Sequence, residues 1–148
     1  MISPELLRWH RCFASISETS LKAVAMIAKE RLVPAGTELF HEGDPADTLG
    51  IIIDGEVKIQ HTLGSNELRT VETLVPGDLL GWSALVEPYK MISLATTCTD
   101  TRLIAIDAPR LRELCDRDPL LGYRLLVQVA RLLADRLQTA RVQLATIP

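Results

Sequence analysis

The stretch Pro76–Asp100, PGDLLGWSALVEPYKMISLATTCTD, holds the residues of this chain whose types and spacing bear on chemistry. A turn, Pro76-Gly77-Asp78, leads through Gly81 into Trp82-Ser83-Ala84-Leu85, too short a piece for an ordinary helix. A glycine opening one helical turn leaves backbone N–H groups without partners, here those of Ser83 and Ala84, and such donors suit an anion such as phosphate. A loop, Glu87-Pro88-Tyr89-Lys90, follows, and an alternating run resumes at Ile92 with Ser93 beside it. Lys90 and Met91 stand at the start of that run, so one of them faces whatever the turn binds. The plainer reading of the same residues makes Gly81 a turn and Trp82 a core anchor.

No other constellation offers catalysis. His10, His41 and His61 are scattered, with no HExxH or GxSxG spacing around them, so no catalytic or metal-ligating set is assigned. Cys12, Cys98 and Cys115 are odd in number and widely spaced, which indicates neither a disulfide framework nor a zinc site. The formal net charge of −3 supplies no general attraction to nucleic acid or an anionic membrane. MISPELLRWHRCF has no apolar signal region, and no window approaches the roughly 20 apolar residues of a membrane span. These features lead us to expect a reducing, cytoplasmic setting.

The elements that position the stretch read as follows. At 148 residues the chain is expected to form one domain over 1–148, with a helical part over 5–33, a β-roll over 34–107 and helices over 108–145. Ser17 is a cap-like residue, and Leu21, Val24, Ala25 and Ala28 follow at helical spacing. From Pro34-Ala35-Gly36 onward, short apolar runs alternate with turn residues, the pattern of an all-β sandwich or barrel. The runs are Glu38–His41, Leu49–Asp54, Glu56–Leu63, Arg69–Val75, Ile92–Cys98 and Thr101–Ile106. Asp54-Gly55 carries the signal of a two-residue hairpin.

Asp107 with Pro109, and then Asp118 with Pro119, are helix starts, the second opening a helix to about Leu144. Along it Leu126, Ala130, Leu133, Leu137, Ala140 and Leu144 alternate steps of four and three, a coiled-coil seam. A second stripe, Leu121, Leu125, Val129 and Leu132, covers a neighbouring face. A helix apolar on two sides needs two surfaces, so one stripe is expected on the β body and the seam against a second copy in a homodimer. The alternative places both stripes in the core of a monomer.

Phe13, Leu21, Pro34-Ala35-Gly36-Thr37, Phe40, Glu42-Gly43-Asp44, Ile52-Ile53-Asp54-Gly55-Glu56-Val57, Pro76-Gly77-Asp78 and Gly81–Leu85 together resemble a cyclic nucleotide-binding domain. The likeness is to the effector domain of catabolite-activator-type bacterial regulators and spans residues 5–145. It implies a mainly β fold, a jelly-roll β-roll flanked by N-terminal helices and a long C-terminal helix. It also implies that Pro76–Asp100 is a phosphate-binding cassette, with Gly81, Trp82, Ser83, Ala84, Lys90, Met91, Ile92 and Ser93 at the ligand.

The sequence departs from that pattern at the positions that matter most. The family's Gly-Glu, whose Glu takes the ribose hydroxyl, is Gly81-Trp82 here. Counting back from Thr99-Asp100 puts Met91 where the family's phosphate arginine stands, and matching Lys-x-x-Ser-Leu puts Lys90 there. A one-residue slip reverses a strand's faces, so only one of them aims at the pocket, and the Thr99-Asp100 register favours Met91. We therefore expect a regulatory domain sensing a small-molecule effector, with cyclic AMP a poor ligand and no further cofactor called for. Family regulators continue into a helix-turn-helix, and none follows Leu144 here, so no direct DNA binding is expected. Two other readings stay open: a ligand-free dimerisation or adaptor module with a protein partner, and a sensor of haem or another small molecule.

Overall fold

Turn residues cut the middle of the chain into eight strands, which stack as two four-stranded sheets ordered β1-β8-β3-β6 and β2-β7-β4-β5. The computed structural model describes residues 1–147. In chain order come α1 (Pro4–Arg8), α2 (Glu18–Met26), β1 (Ala28–Val33), β2 (Glu38–Phe40), β3 (Thr48–Asp54), β4 (Val57–Thr62), β5 (Leu68–Leu74) and β6 (Leu79–Leu80). A 3-10 turn at Trp82–Leu85 precedes β7 (Leu94–Thr97), β8 (Thr101–Asp107), α3 (Ala108–Arg117) and α4 (Pro119–Ala145). The expected jelly-roll with flanking helices is the fold observed.

β3 and β8 are apolar on both faces because both faces are covered. Ile52, Leu103 and Ala105 point between the sheets, where they meet Val57, Leu80 and Ala95. Leu49, Ile51, Ile104 and Ile106 point the other way, into a core shared with Phe13, Leu21, Val24, Leu111, Leu121 and Leu125 of the helical layer. Registered pairs Ile51–Ile104 and Leu49–Ile106 hold that second face together. The helices start at the capping residues read from the sequence. Ser17 Oγ accepts from the Ser20 N–H at 3.2 Å, Asp107 from Arg110 at 3.1 Å and Asp118 from Leu121 at 3.3 Å.

Three local expectations are corrected. Ala28–Val33, assigned to the helical part, is a strand paired with β8 along its whole length. It lies at a sheet edge with Lys29, Glu30, Arg31 and Leu32 exposed, so its sequence lacks the alternation of a half-buried strand. Asp54-Gly55 does not close a hairpin, because β3 and β4 belong to different sheets. Gly55 turns the chain from one sheet to the other at φ 100°, with Asp100 O only 2.7 Å from where a Cβ would sit. The run at Ile92 becomes strand only from Leu94.

α4 carries its two stripes as two different surfaces except at Leu133, assigned to the seam but packed on the body because it borders the buried face. Leu121, Leu125 and Val129 are buried on the body, with Leu132 and Leu133 half-buried against the same core. On the seam, Leu126, Leu137 and Leu144 are 48%, 56% and 68% exposed, and Ala130 and Ala140 are exposed between them.

Candidate functional site

Gly81 makes the sharp step from β6 into the 3-10 turn. Its φ of 81° is left-handed, and a Cβ there would lie 3.0 Å from Thr48 O and 3.2 Å from Met91 Cε. Only glycine meets both conditions without strain. The turn behind it is clamped. Arg112 of α3 donates to Ala84 O at 2.8 Å and to Ala46 O at 3.3 Å, and its guanidinium lies 4.2 Å from the centre of the Tyr89 ring. The Ala84 N–H is not the free donor expected from the sequence, since it already donates to Gly81 O at 3.0 Å. Ala84 itself is fully buried.

Backbone pairing decides which way Met91 and Lys90 point. Met91 N–H donates to Asp44 O and Gly43 N–H donates to Met91 O, both at 2.8 Å. Locked in this way, Met91 turns inward and is 5% exposed, whereas Lys90 is exposed. Of the residues assigned to the ligand, Gly81, Trp82, Ser83, Met91, Ile92 and Ser93 line one cavity between the sheets, and Ala84 and Lys90 do not. Its volume is about 30 Å³. Pockets for drug-sized ligands run to roughly 300–1,000 Å³, and a water needs only about 10–15 Å³. As it stands the cavity admits water and not a nucleotide.

Arg136 of α4 and Glu72 of β5 also line the cavity, and sequence reading missed both. Arg136 Nε forms a close ion pair with Glu72 Oε2, each side chain about a quarter exposed. Burial pushes the Glu72 carboxyl above its ordinary value, and Arg136 only partly offsets this while Asp78 adds to it. The signal for Arg136 was in the helix pattern. The stripe Leu121, Leu125, Val129, Leu132 steps next to position 136, so the body-facing row ends in a guanidinium over the cavity rim.

A second polar tether reaches the same region. His10 Nδ1 accepts from the Cys12 N–H at 3.1 Å, which leaves the proton on Nε2 to be donated to Gly77 O at 2.6 Å. Gly77 lies in the turn feeding β6, so His10 fixes the approach to Gly81. Burial is the main cause that lowers the His10 pKa, with Arg11 acting in the same direction and the Gly77 bond and Asp78 against it. Among the described residues no group of three or more His, Cys, Asp or Glu is placed to hold a metal ion, and no helix is long and apolar enough to cross a membrane.

Comparison with known proteins gives a consistent result. The family model described as cyclic nucleotide-binding domain matches residues 30–118. The CRP-like cAMP-activated global transcriptional regulator of Mycobacterium tuberculosis is 29% identical over 143 residues, 97% of this chain and 62% of the relative. The cyclic AMP receptor protein of Thermus thermophilus is 32% identical over 116 residues, 78% of this chain and 52% of that protein. The chain thus spans about half to two thirds of the length of these curated relatives. A crystal structure of a candidate cyclic nucleotide-binding protein from Geobacter metallireducens superposes with a TM-score of 0.84 at 36% identity, covering 93% of this chain and 99% of that one.

Proposed function

The chain belongs to the cyclic nucleotide-binding domain family, and from that membership we propose that it is an effector-sensing regulatory domain whose phosphate-binding cassette has lost its main nucleotide contacts. One observation supports this reading: Met91, which the Thr99-Asp100 register places at the family's arginine position, turns inward, and the residue after Gly81 is Trp82. Neither side chain replaces a guanidinium on a phosphate or a carboxylate on a ribose hydroxyl. Two such charge-assisted bonds, at roughly 1.5–3 kcal/mol each, correspond to about 10²–10⁴ in affinity. The domain works as a homodimer through the seam of α4, a reading supported by the exposed leucines of a helix whose other face is already buried.

Calorimetry with cyclic AMP tests the cassette. Wild type should bind no more tightly than about 0.1–1 mM. Met91→Arg should recover part of the affinity through a bidentate phosphate contact, and adding Trp82→Glu should recover more. Micromolar binding by wild type sinks this reading. A second reading, a ligand-free adaptor, draws on the small size of the cavity. It prevails if neither variant gains affinity and native mass spectrometry of the purified protein finds no retained small molecule.

A further inference from the structure

The cassette side of the cavity offers polarity without charge. Ser83 and Ser93 both line it, are 5% and 7% exposed, and their hydroxyls take no hydrogen bond from the described residues. Both hydroxyls nonetheless keep some accessible surface, since no side-chain N or O atom is sealed away without a partner among the described residues. Two unengaged hydroxyls at that depth are donors waiting for an acceptor. Around them the walls are apolar, chiefly Phe40, Trp82 and Met91.

Charge arrives from the opposite side. Arg136 is the one cation among the described residues lining the cavity, and it comes from α4 rather than from the strand that carries the family's arginine. Its Nε pairs with Glu72, and the guanidinium fork carries further N–H donors on its Nη side. The Glu72 carboxylate is the kind of group such a fork takes from a ligand, and here it comes from the chain itself.

We infer that Arg136 is the anion-binding residue of this pocket, and that Glu72 occupies its guanidinium until a small organic oxyanion on an apolar body displaces it. The ligand's carboxylate or phosphate lies between Arg136 and the Ser83 and Ser93 hydroxyls, with its apolar part against Trp82 and Met91. This rests on the effector-sensing reading above and names the chemical class of the effector. The pocket has kept an anion site while moving the cation from the sheet to the long helix. About 30 Å³ is free while the Arg136–Glu72 pair is closed, so a ligand larger than water needs the cavity to open.

The test uses benzoate and phenyl phosphate as the two oxyanion probes and benzamide as the uncharged control, by calorimetry on the whole chain. Wild type should bind either or both anions and reject benzamide, and whichever anion binds more tightly identifies carboxylate or phosphate as the native group. Glu72→Gln, which removes the internal competitor, should tighten anion binding at least tenfold. Arg136→Gln should weaken it by about ten- to hundredfold, the ordinary worth of a charge-assisted bond. Benzamide binding as well as benzoate, no gain in Glu72→Gln, or no loss in Arg136→Gln overturns the inference. If a variant fails to fold, wild type still decides: the Trp82 indole resonance, told from Trp9 by Trp9→Phe, should move with benzoate and not with benzamide. A parallel titration with cyclic AMP separates the two levels. Weak cyclic AMP binding without any anion response defeats this inference alone, whereas tight cyclic AMP binding defeats the reading beneath it.

Discussion

Leu137→Asp is the sharpest test of the dimer. Leu137 is 56% exposed on the outward seam, with Leu126 and Leu144 at 48% and 68%. Burying a whole leucine is worth roughly 1.5–3 kcal/mol, so burying the exposed half contributes about 1 kcal/mol per side chain. Three such leucines on each of two protomers give about 6 kcal/mol, the free energy of an affinity of about 40 μM before the cost of association. That cost is at least about 4 kcal/mol, so the leucines alone fall short of a micromolar dimer, the rest of the seam has to supply the difference, and losing one position can decide the state. In a parallel two-fold dimer every change counts twice. Leu137→Asp removes about 2 kcal/mol of apolar burial and sets two carboxylates against each other, which together weaken the dimer at least about 10²-fold. Leu133 is a poorer probe, since it packs against the body core and a carboxylate there strains the monomer as well. Sedimentation velocity from about 1 to 100 μM should show wild type passing to dimer and the variant staying monomeric with an unchanged far-UV spectrum. A monomeric wild type at the top of that range, or a variant that still dimerises, refutes the reasoning.

Two further tests concern buried groups. The His10 pKa is lowered in the fold chiefly by burial, so its contribution is complete above the ordinary value near 6.5 and is lost as pH falls through the lowered folded value. The difference in Tm between wild type and His10→Gln should therefore shrink from about pH 7.5 to about pH 5, and a constant difference removes the His10 tether from the argument. Cys98 is exposed, whereas burial pushes the Cys12 and Cys115 thiols up to about 11. A disulfide reagent at neutral pH should thus titrate one fast thiol per chain, with the other two following only in denaturant.

The features legible in the sequence were those written in local chemistry. Capping residues at Ser17, Asp107 and Asp118 marked helix starts because each bonds an N–H three residues on. Turn glycines and short apolar runs indicated the roll. What failed was information held by distant partners. Ala28–Val33 is a strand because β8 pairs with it, and nothing in its charged exposed face says so. Gly55 looks like a hairpin turn until the β7–β8 connection is seen packed against it. The inward turn of Met91 depends on bonds to Gly43 and Asp44, almost fifty residues earlier in the chain.

Arg136 belongs to a different class, since its place was encoded and went unread. The row Leu121, Leu125, Val129, Leu132 is the side of α4 that meets the body, and the next residue in that row is a cation. A charged residue continuing an apolar body-facing row has to find either solvent or an opposite charge, and Glu72 on β5 supplies the charge at the cavity rim. The adjacent residue, Leu137, lies on the outward seam. Neighbouring positions on one helical turn therefore face the pocket and the proposed second protomer. α4 is one continuous helix, so a ligand that separates Arg136 from Glu72 acts on the same turn that presents Leu137. Linkage then requires that whatever factor the ligand imposes on dimer affinity, dimerisation imposes on ligand affinity. Under the proposed reading, coupling of pocket to helix needs no arginine on the strand, because the helix carries its own.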